Sequence, residues 1–514
     1  MSAPPPPSGE TAPGGVPILL ITVVGALLAL RIALSATMHL TEDEAYYRLW
    51  SMAPAFGYYD HPPMIAWWIW LGRHIGGDNP LGVRLLPILA SGATSFLVFD
   101  LARLAGADSR TAQRAGVWFN AMPLVAAGGL LAVPDAPASL FWSLTLWCVL
   151  KAARGGRLAW WLAAGAAAGL AALSKYSALF LAPGIWLWFA WTPAGRQRLR
   201  TPGPWLAAMV ATAVFALNLA WNADHHWLTF TKQFGRVAAS RLAPRYLVEF
   251  VATQALLINP LIAMFAVRGW RRWTPPFVPW GKGAVAPPPR GDGVDLLPFV
   301  ATSAPFIVYL VVHSLHDRVQ AHWPAPVYPA IAVCAAVAAA RVEGAWRRLR
   351  TATPIFGLAV GAAAMALVFL PAGILGRRLD VTLPLRGWPA FAGRVEAARA
   401  MHGAAWVGTT SYGLAAELAD EPALQAPVLQ ISERDRYLGL PMGAAPDLSR
   451  PGLLIDLTRR IDLAALGRCF EQVQPLGPLI RGATAEAAGK SYTAVLVSGS
   501  RRDVVREGCW PVGG

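Results

Sequence analysis

The sequence predicts a mostly α-helical, polytopic membrane protein of about eleven transmembrane helices, followed by a small C-terminal α/β domain on the extracytoplasmic side. Three observations lead there. Of 514 residues, 55% are hydrophobic and only 14% charged, too apolar for an ordinary soluble protein. Apolar runs long enough to cross about 30 Å of hydrocarbon recur until Leu375 and then stop. The arginines and lysines between those runs sort by side.

Taken in order, residues 1–15 are rich in proline and small residues and contain no Lys or Arg, which reads as a disordered leader rather than a signal peptide. The first span covers 16–37, with Arg31 inside it either snorkelling or facing protein. Further spans are expected near 80–103, 115–133, 136–153, 158–174, 176–192, 204–222, 246–267, 295–313, 324–340 and 353–375. Pro62 to Gly76 carries Trp67, Trp68 and Trp70 but is too short to cross, and reads as a helix in the interface within a first loop of residues 38–79. Gly165 and Gly169 suit close helix packing. The transmembrane domain is thus 16–376 and the α/β domain 377–514, with a helix from Trp388 to His402, strands near 405–407, 453–456 and 492–497, and a helix around 414–420.

The formal charge of +15 would suit a nucleic-acid binder in a soluble chain, but here its distribution argues otherwise. With the N-terminus cytoplasmic, the inside loops hold 18 Lys and Arg and the outside loops before the tail hold 8, which satisfies the positive-inside rule. No nucleic-acid partner is implied. Under the same topology Asp43, Asp60, Asp135, Lys175, Asp224, Arg236, Arg318 and His322 all fall on the outer side. One extracytoplasmic cavity fed by several loops explains that sorting. Cys148 and Cys334 fall in spans as packing residues, whereas Cys469 and Cys509 fall in the exported domain, where a disulfide can form.

The first loop carries the densest chemistry. Thr41 and Glu44 form a capping-box pattern, so Glu44 is either a cap or a functional carboxylate. Asp43 is not needed for the box, and Tyr46 and Tyr47 lie three and four residues on, on its helical face. Then Gly57-Tyr58-Tyr59-Asp60-His61-Pro62-Pro63 gives a turn, a carboxylate beside an imidazole, and prolines suited to a helix start. Asp60 and His61 can serve the chemistry or merely cap that helix.

Asp43-Glu44-Ala45-Tyr46-Tyr47 just after the first span, with Tyr58-Tyr59-Asp60-His61-Pro62-Pro63, resembles the first periplasmic loop of the protein-mannosyltransferase-like and aminoarabinose-transferase-like glycosyltransferases. The resemblance extends to Val133-Pro134-Asp135-Ala136-Pro137, Leu173-Ser174-Lys175-Tyr176 and His322-Trp323-Pro324-Ala325-Pro326, roughly the first two thirds of the chain. It implies a GT-C fold in the bacterial inner membrane and a sugar donor linked to polyprenyl phosphate. The acceptor stays open among lipid A or another lipid, an envelope glycan and a protein hydroxyl. Membrane lipids are the remaining partners. The aminoarabinose-transferase loop ends in Glu-Lys-Pro where this one has Asp60-His61-Pro62, so the sugar need not be aminoarabinose.

Breaking a sugar–phosphate bond builds negative charge on the leaving phosphate, and deprotonating an acceptor needs a base. By match to the family's loop, Asp43 is the candidate base, with Glu44 and Asp60 as further catalytic carboxylates. Tyr46, Tyr47, Tyr59, His61, Asp135, Lys175, Arg236, Arg318 and His322 are candidates for binding substrate; for each a bland role in packing, capping, loop orientation or lipid contact stands beside it. Adjacent His225 and His226 lack the i, i+4 spacing of a helical zinc site. No required cofactor is implied, although a divalent metal ion at the acidic loop is compatible with its carboxylates. No Walker A loop or Gly-x-Gly-x-x-Gly points to a nucleotide. The alternatives are a transporter or lipid flippase, whose charges would gather at mid-membrane between inverted repeats, and an envelope scaffold, which leaves the loop motifs unexplained.

Overall fold

The computed structural model describes residues 17–235, 242–273, 293–372, 376, 380–440, 447–482 and 490–501. The leader, Arg236 and Cys509 lie outside them.

The helices run α1 (Ile18–Ser35), α2 (Glu42–Met52), α3 (Met64–Gly76), α4 (Pro80–Leu104), α5 (Ser109–Asn120), α6 (Pro123–Gly128), α7 (Asp135–Gly155), α8 (Leu158–Ser174), α9 (Leu181–Trp191), α10 (Pro193–Leu199) and α11 (Pro202–Asp224). They continue with α12 (Leu228–Phe234), α13 (Arg245–Leu257), α14 (Pro260–Trp273), α15 (Leu297–His313), α16 (Tyr328–Ala338) and α17 (Ala345–Ala366). Among the described residues five helices, α1, α4, α7, α11 and α17 with its 3-10 extension to Phe369, are long and apolar enough to cross a membrane alone. Four shorter apolar helices, Leu158–Ser174, Tyr176–Trp191, Leu297–His313 and Ala325–Ala338, accompany them. The small residues of α8 do bring backbones together: a Cβ on Gly165 would sit 2.3 Å from the Ala207 carbonyl oxygen of α11, and one on Gly169 2.6 Å from Val214.

Two expected spans are not continuous helices. The 115–133 run breaks at Ala121–Met122, because Pro123 has no N–H to continue the ladder and opens α6 instead. The buried Arg31 of α1 ties α6 and α4 together, donating through Nη2 to the Val125 carbonyl at 2.6 Å and through Nη1 to Ser91 Oγ at 2.9 Å. Arg31 therefore faces protein rather than snorkelling. The 246–267 run bends by 105° between α13 and α14. Asn259 makes the corner with φ +79°. Its side chain donates to the carbonyls of Ala121 and Thr353 and accepts from the Leu261 N–H, satisfying groups that the break exposes.

Beyond residue 380, α18 (Trp388–Met401), β1 (Trp406–Thr409), α19 (Tyr412–Asp420), β2 (Val428–Gln430), β3 (Gly452–Leu457), α20 (Leu463–Cys469), β4 (Phe470–Ile480) and β5 (Ser491–Ser500) build a mixed five-stranded sheet in the order β2-β1-β3-β5-β4. Strands β2, β1 and β3 are parallel, with Val407 opposite both Val428 and Leu453; β3 and β4 pair antiparallel with β5. Strand β4 contains Pro475 and Pro478, which the sheet tolerates because β4 is an edge strand with a bulge at Pro475/Gly477.

This C-terminal region shares its hydrophobic core with the first loop. Trp50, Tyr46, Ile65 and Ile69 of the loop pack in one buried cluster with Trp388, Phe391, Leu414 and Tyr492. Ion pairs cross the same boundary, from His39 to Glu421 at 2.7 Å, from Arg48 to Asp420 and from Lys490 to Glu42. The sheet therefore sits on the loop that carries the candidate carboxylates.

Candidate functional site

Helix α2 fixes Asp43. Thr41 caps it and completes the capping box with Glu44, which leaves Asp43 in the first turn with its side chain outside the box. The half-buried carboxylate accepts a hydrogen bond from the Tyr412 hydroxyl at 2.8 Å. Tyr412 is the first residue of α19, after Ser411 at its N-cap. Burial raises the Asp43 carboxyl above its ordinary value, while the Tyr412 bond and the nearby His322 act the other way. Burial and the Asp43 charge also push the Tyr412 phenol up, so it stays a donor.

Glu44 has the opposite environment. It is fully buried, with Oε1 accepting from Arg84 Nε at 2.8 Å and from the Ala132 N–H at 2.9 Å, and Oε2 from Arg84 Nη2 at 2.7 Å and the Thr41 N–H at 3.0 Å. Burial alone would raise its carboxyl, but Arg84 and the backbone donors hold it below the usual range. Every oxygen is occupied, so Glu44 ties α2 to α4 and to the turn before α7. Of its two possible roles it takes the structural one and has no surface to offer a substrate.

The turn Tyr58–His61 closes on a Tyr58 N–H to His61 carbonyl bond of 3.2 Å. From below, α11 and α12 hold it through Asn218 to the Phe56 carbonyl and Thr229 to the Tyr58 carbonyl. Asp60 so placed pairs with Arg436, whose Nε also binds Glu433 at 2.7 Å. The Arg436 guanidinium lies over the rings of Tyr59 and Tyr412, at 5.0 and 4.5 Å. Glu433 adopts φ +45° and reaches Lys232 of α12 at 2.9 Å.

A second group comes from the turns at the same end of α7 and α8. Lys175, the C-cap of α8, donates to Asp135 at 2.7 Å, and both are buried. His322 Nε2 lies 3.7 Å from the other Asp135 oxygen. Charge coupling joins the groups: Asp43 senses His322 and Asp60, and the Tyr47 phenol senses Asp43, Tyr412, Asp60 and Asp135. Tyr47 and His61 meet edge to face at 6.2 Å.

Asp43, Asp60, Asp135, Lys175, His322, Tyr47, Tyr59 and His61 therefore converge. Tyr46 is core instead, 1% exposed, with its hydroxyl on the Arg436 carbonyl. Arg318 stays apart, exposed and paired with Glu249 of α13 at 2.8 Å. Asp224 is exposed at the end of α11, and His225 stacks on Trp221 at 4.1 Å. Among the described residues no group of three or more His, Cys, Asp or Glu is arranged to hold a metal ion. Sequence reasoning missed Tyr412, Glu433, Arg436 and Lys232. The one local signal for Tyr412 is its place directly after strand β1, behind the N-cap Ser411 of α19.

A basic and acidic cluster of this kind can hold an anion at Lys175 and accept a proton at Asp43. Residues 60–221 match the family described as dolichyl-phosphate-mannose-protein mannosyltransferase. Over 225 residues the chain is 30% identical to the lipid A galacturonosyltransferase RgtD of Rhizobium johnstonii, covering 43% of this chain and 46% of that one. Over 131 residues it is 31% identical to an undecaprenyl phosphate-alpha-4-amino-4-deoxy-L-arabinose arabinosyl transferase of Pseudomonas aeruginosa, covering 24% of each. The matches thus span less than half the length of these curated relatives. A likeness in fold extends over nearly the whole chain: the structure of ArnT from Cupriavidus metallidurans bound to undecaprenyl phosphate superposes with a TM-score of 0.61 at 14% identity, over 93% of this chain and 98% of that one.

Proposed function

We infer, from a GT-C fold that carries a mannosyltransferase-family segment, that this chain is an integral-membrane glycosyltransferase which moves a sugar from a polyprenyl phosphate to an envelope acceptor. The observation that carries the reading is a phenol-held carboxylate, Asp43, within electrostatic reach of His322 in the Asp135–Lys175–His322 group. Lys175 is the counter-charge for the leaving phosphate, for which it exchanges its bond to Asp135. Asp43 accepts the proton of the acceptor hydroxyl as it attacks C1, while the C1–phosphate bond breaks with its electron pair on phosphate. Tyr412 keeps Asp43 oriented. Arg436 holds Asp60 and closes the site from the C-terminal region.

The topology that suits this chemistry has eleven crossings, counting the five long helices, the four short ones, the bent α13–α14 pair and the broken α5–α6 pair, with the site and sheet outside the bacterial inner membrane. The names of the relatives make lipid A the first acceptor to try, and undecaprenyl phosphate-linked aminoarabinose and a galacturonic acid carried on a polyprenyl phosphate the first donors. The test is to incubate purified protein with each donor and with lipid A, and to follow by mass spectrometry the gain of one sugar on the acceptor. No transfer from any undecaprenyl-phosphate pentose, hexose or uronic acid to lipid, glycan or protein acceptors would overturn the reading.

A further inference from the structure

At the other end of α1 from the first loop, some 27 Å along its 18 residues, Leu19 borders a cavity of about 290 Å³. Arg110, Gln113 and Arg114 of α5 and Arg350 and Thr351 of α17 line it, and its lining includes no carboxylate. The nearby Asp108 is already engaged, capping α5 through the N–H and hydroxyl of Thr111. Arg114 and Arg350 are fixed in place by the C-terminal end of α16: Arg114 Nη1 donates to the Ala336 carbonyl at 3.3 Å, and Arg350 Nη1 to those of Ala339 and Ala340 at 3.2 and 3.0 Å. Those bonds use one nitrogen of each guanidinium and leave the rest of both forks to the cavity's occupant. Guanidiniums gathered on a lining that holds no carboxylate make the cavity a favourable place for an anion.

The rest of the lining is apolar, made of Leu19, Val117, Trp118 and Pro354. It continues onto α1 and α17, two of the helices long enough to cross a membrane. Inorganic phosphate matches the arginines but not that apolar lining. We propose that this cavity binds the phosphate of an anionic diacyl glycerophospholipid, with one acyl chain running along α1 and α17. The site lies on the face opposite the candidate active site, and the assignment does not depend on the reaction proposed above.

Native mass spectrometry of the purified full chain tests it, titrating phosphatidylglycerol, phosphatidylcholine or inorganic phosphate. The first phosphatidylglycerol should bind about five- to thirty-fold more tightly than phosphatidylcholine, the effect of one to two arginine contacts. Arg114→Gln with Arg350→Gln should abolish the difference, and restoring charge with Lys at both positions should recover part of it. The exposed Arg110 bonds to no helix end, so Arg110→Gln leaves the fold alone and should weaken the preference several-fold even where the double variant fails to fold. Equal binding of the two lipids, a preference unchanged in Arg110→Gln, or displacement of phosphatidylglycerol by millimolar phosphate would each overturn the proposal.

Discussion

Glu44→Gln replaces one carboxylate oxygen with an amide NH₂ at a position where all four bonds are accepted from donors. Whichever way the amide is turned, its NH₂ faces two of them: Arg84 Nε and the Ala132 N–H on one side, Arg84 Nη2 and the Thr41 N–H on the other. Glutamine suits a capping box in isolation, but here the substitution also leaves the buried Arg84 without its counter-ion. Breaking such a pair costs about 3 to 5 kcal/mol. Hydrogen exchange reads the loss locally: amides in the first turns of α2 and at Ala132 should lose about 10² to 10⁴ in protection, since each 1.4 kcal/mol is tenfold. The wild-type pair should also weaken in acid. Because the folded Glu44 carboxyl titrates below its ordinary value, its stabilisation is complete above the unfolded pKa and disappears as pH falls through the folded one. Protection reduced less than tenfold in Glu44→Gln would refute the view that this residue holds α2 in place.

Glu417 should behave in the reverse way: it is fully buried on α19 and its carboxyl is raised well above the usual range by burial and by Glu42 and Asp420. A protonated acid resembles an amide, so Glu417→Gln should keep stability at neutral pH. It should also flatten the loss of stability that the wild type shows as pH rises from the unfolded carboxyl pKa towards the folded one, checked by unfolding at several pH values. Tyr412→Phe removes a bond that favours the charged form of Asp43, so the acid limb of the pH–rate profile should move to higher pH; an unmoved limb would show that the phenol does not act on this carboxylate. A reporter fused after Gly376 should be active only if exported, and cytoplasmic activity would reverse the proposed orientation.

The helices, the first loop and the sorting of its charges were legible in the sequence because apolar length and arginine bias are local quantities. Trp388–Met401 and the strands at Trp406–Thr409 and Gly452–Leu457 were legible for the same reason. The corner at Asn259 was not: Pro260 follows it, but the partners that stabilise the bend, Ala121 and Thr353, are 138 and 94 positions away. Strand β4 was hidden by its two prolines, which argue against a strand until its edge position is known. Within the site, Asp43, Asp60, Asp135, Lys175 and His322 stood out as ionisable residues at span ends. Tyr412 and Arg436 had no such mark, since they lie in a polar region where a tyrosine or arginine is ordinary. They join Asp43 and Asp60 across 369 and 376 positions. Only the packing of α19 and of the 3-10 turn Arg434–Tyr437 against the first loop makes them part of the site, and nothing local in the sequence signals that packing.

The role of Asp43 is the central claim, and Asp43→Asn tests it most directly. Asparagine keeps the shape of the side chain and can still accept from Tyr412, but it cannot take a proton. Loss of a helix-end charge costs about 0.3 to 1 kcal/mol of stability, whereas loss of a general base lowers the rate by about 10² to 10⁴. The measurement is single-turnover release of polyprenyl phosphate, in the presence of acceptor, by folded Asp43→Asn protein that still binds the donor. A fall of two to four orders of magnitude is the predicted result; turnover close to that of the wild type would contradict it and make Asp43 a structural residue.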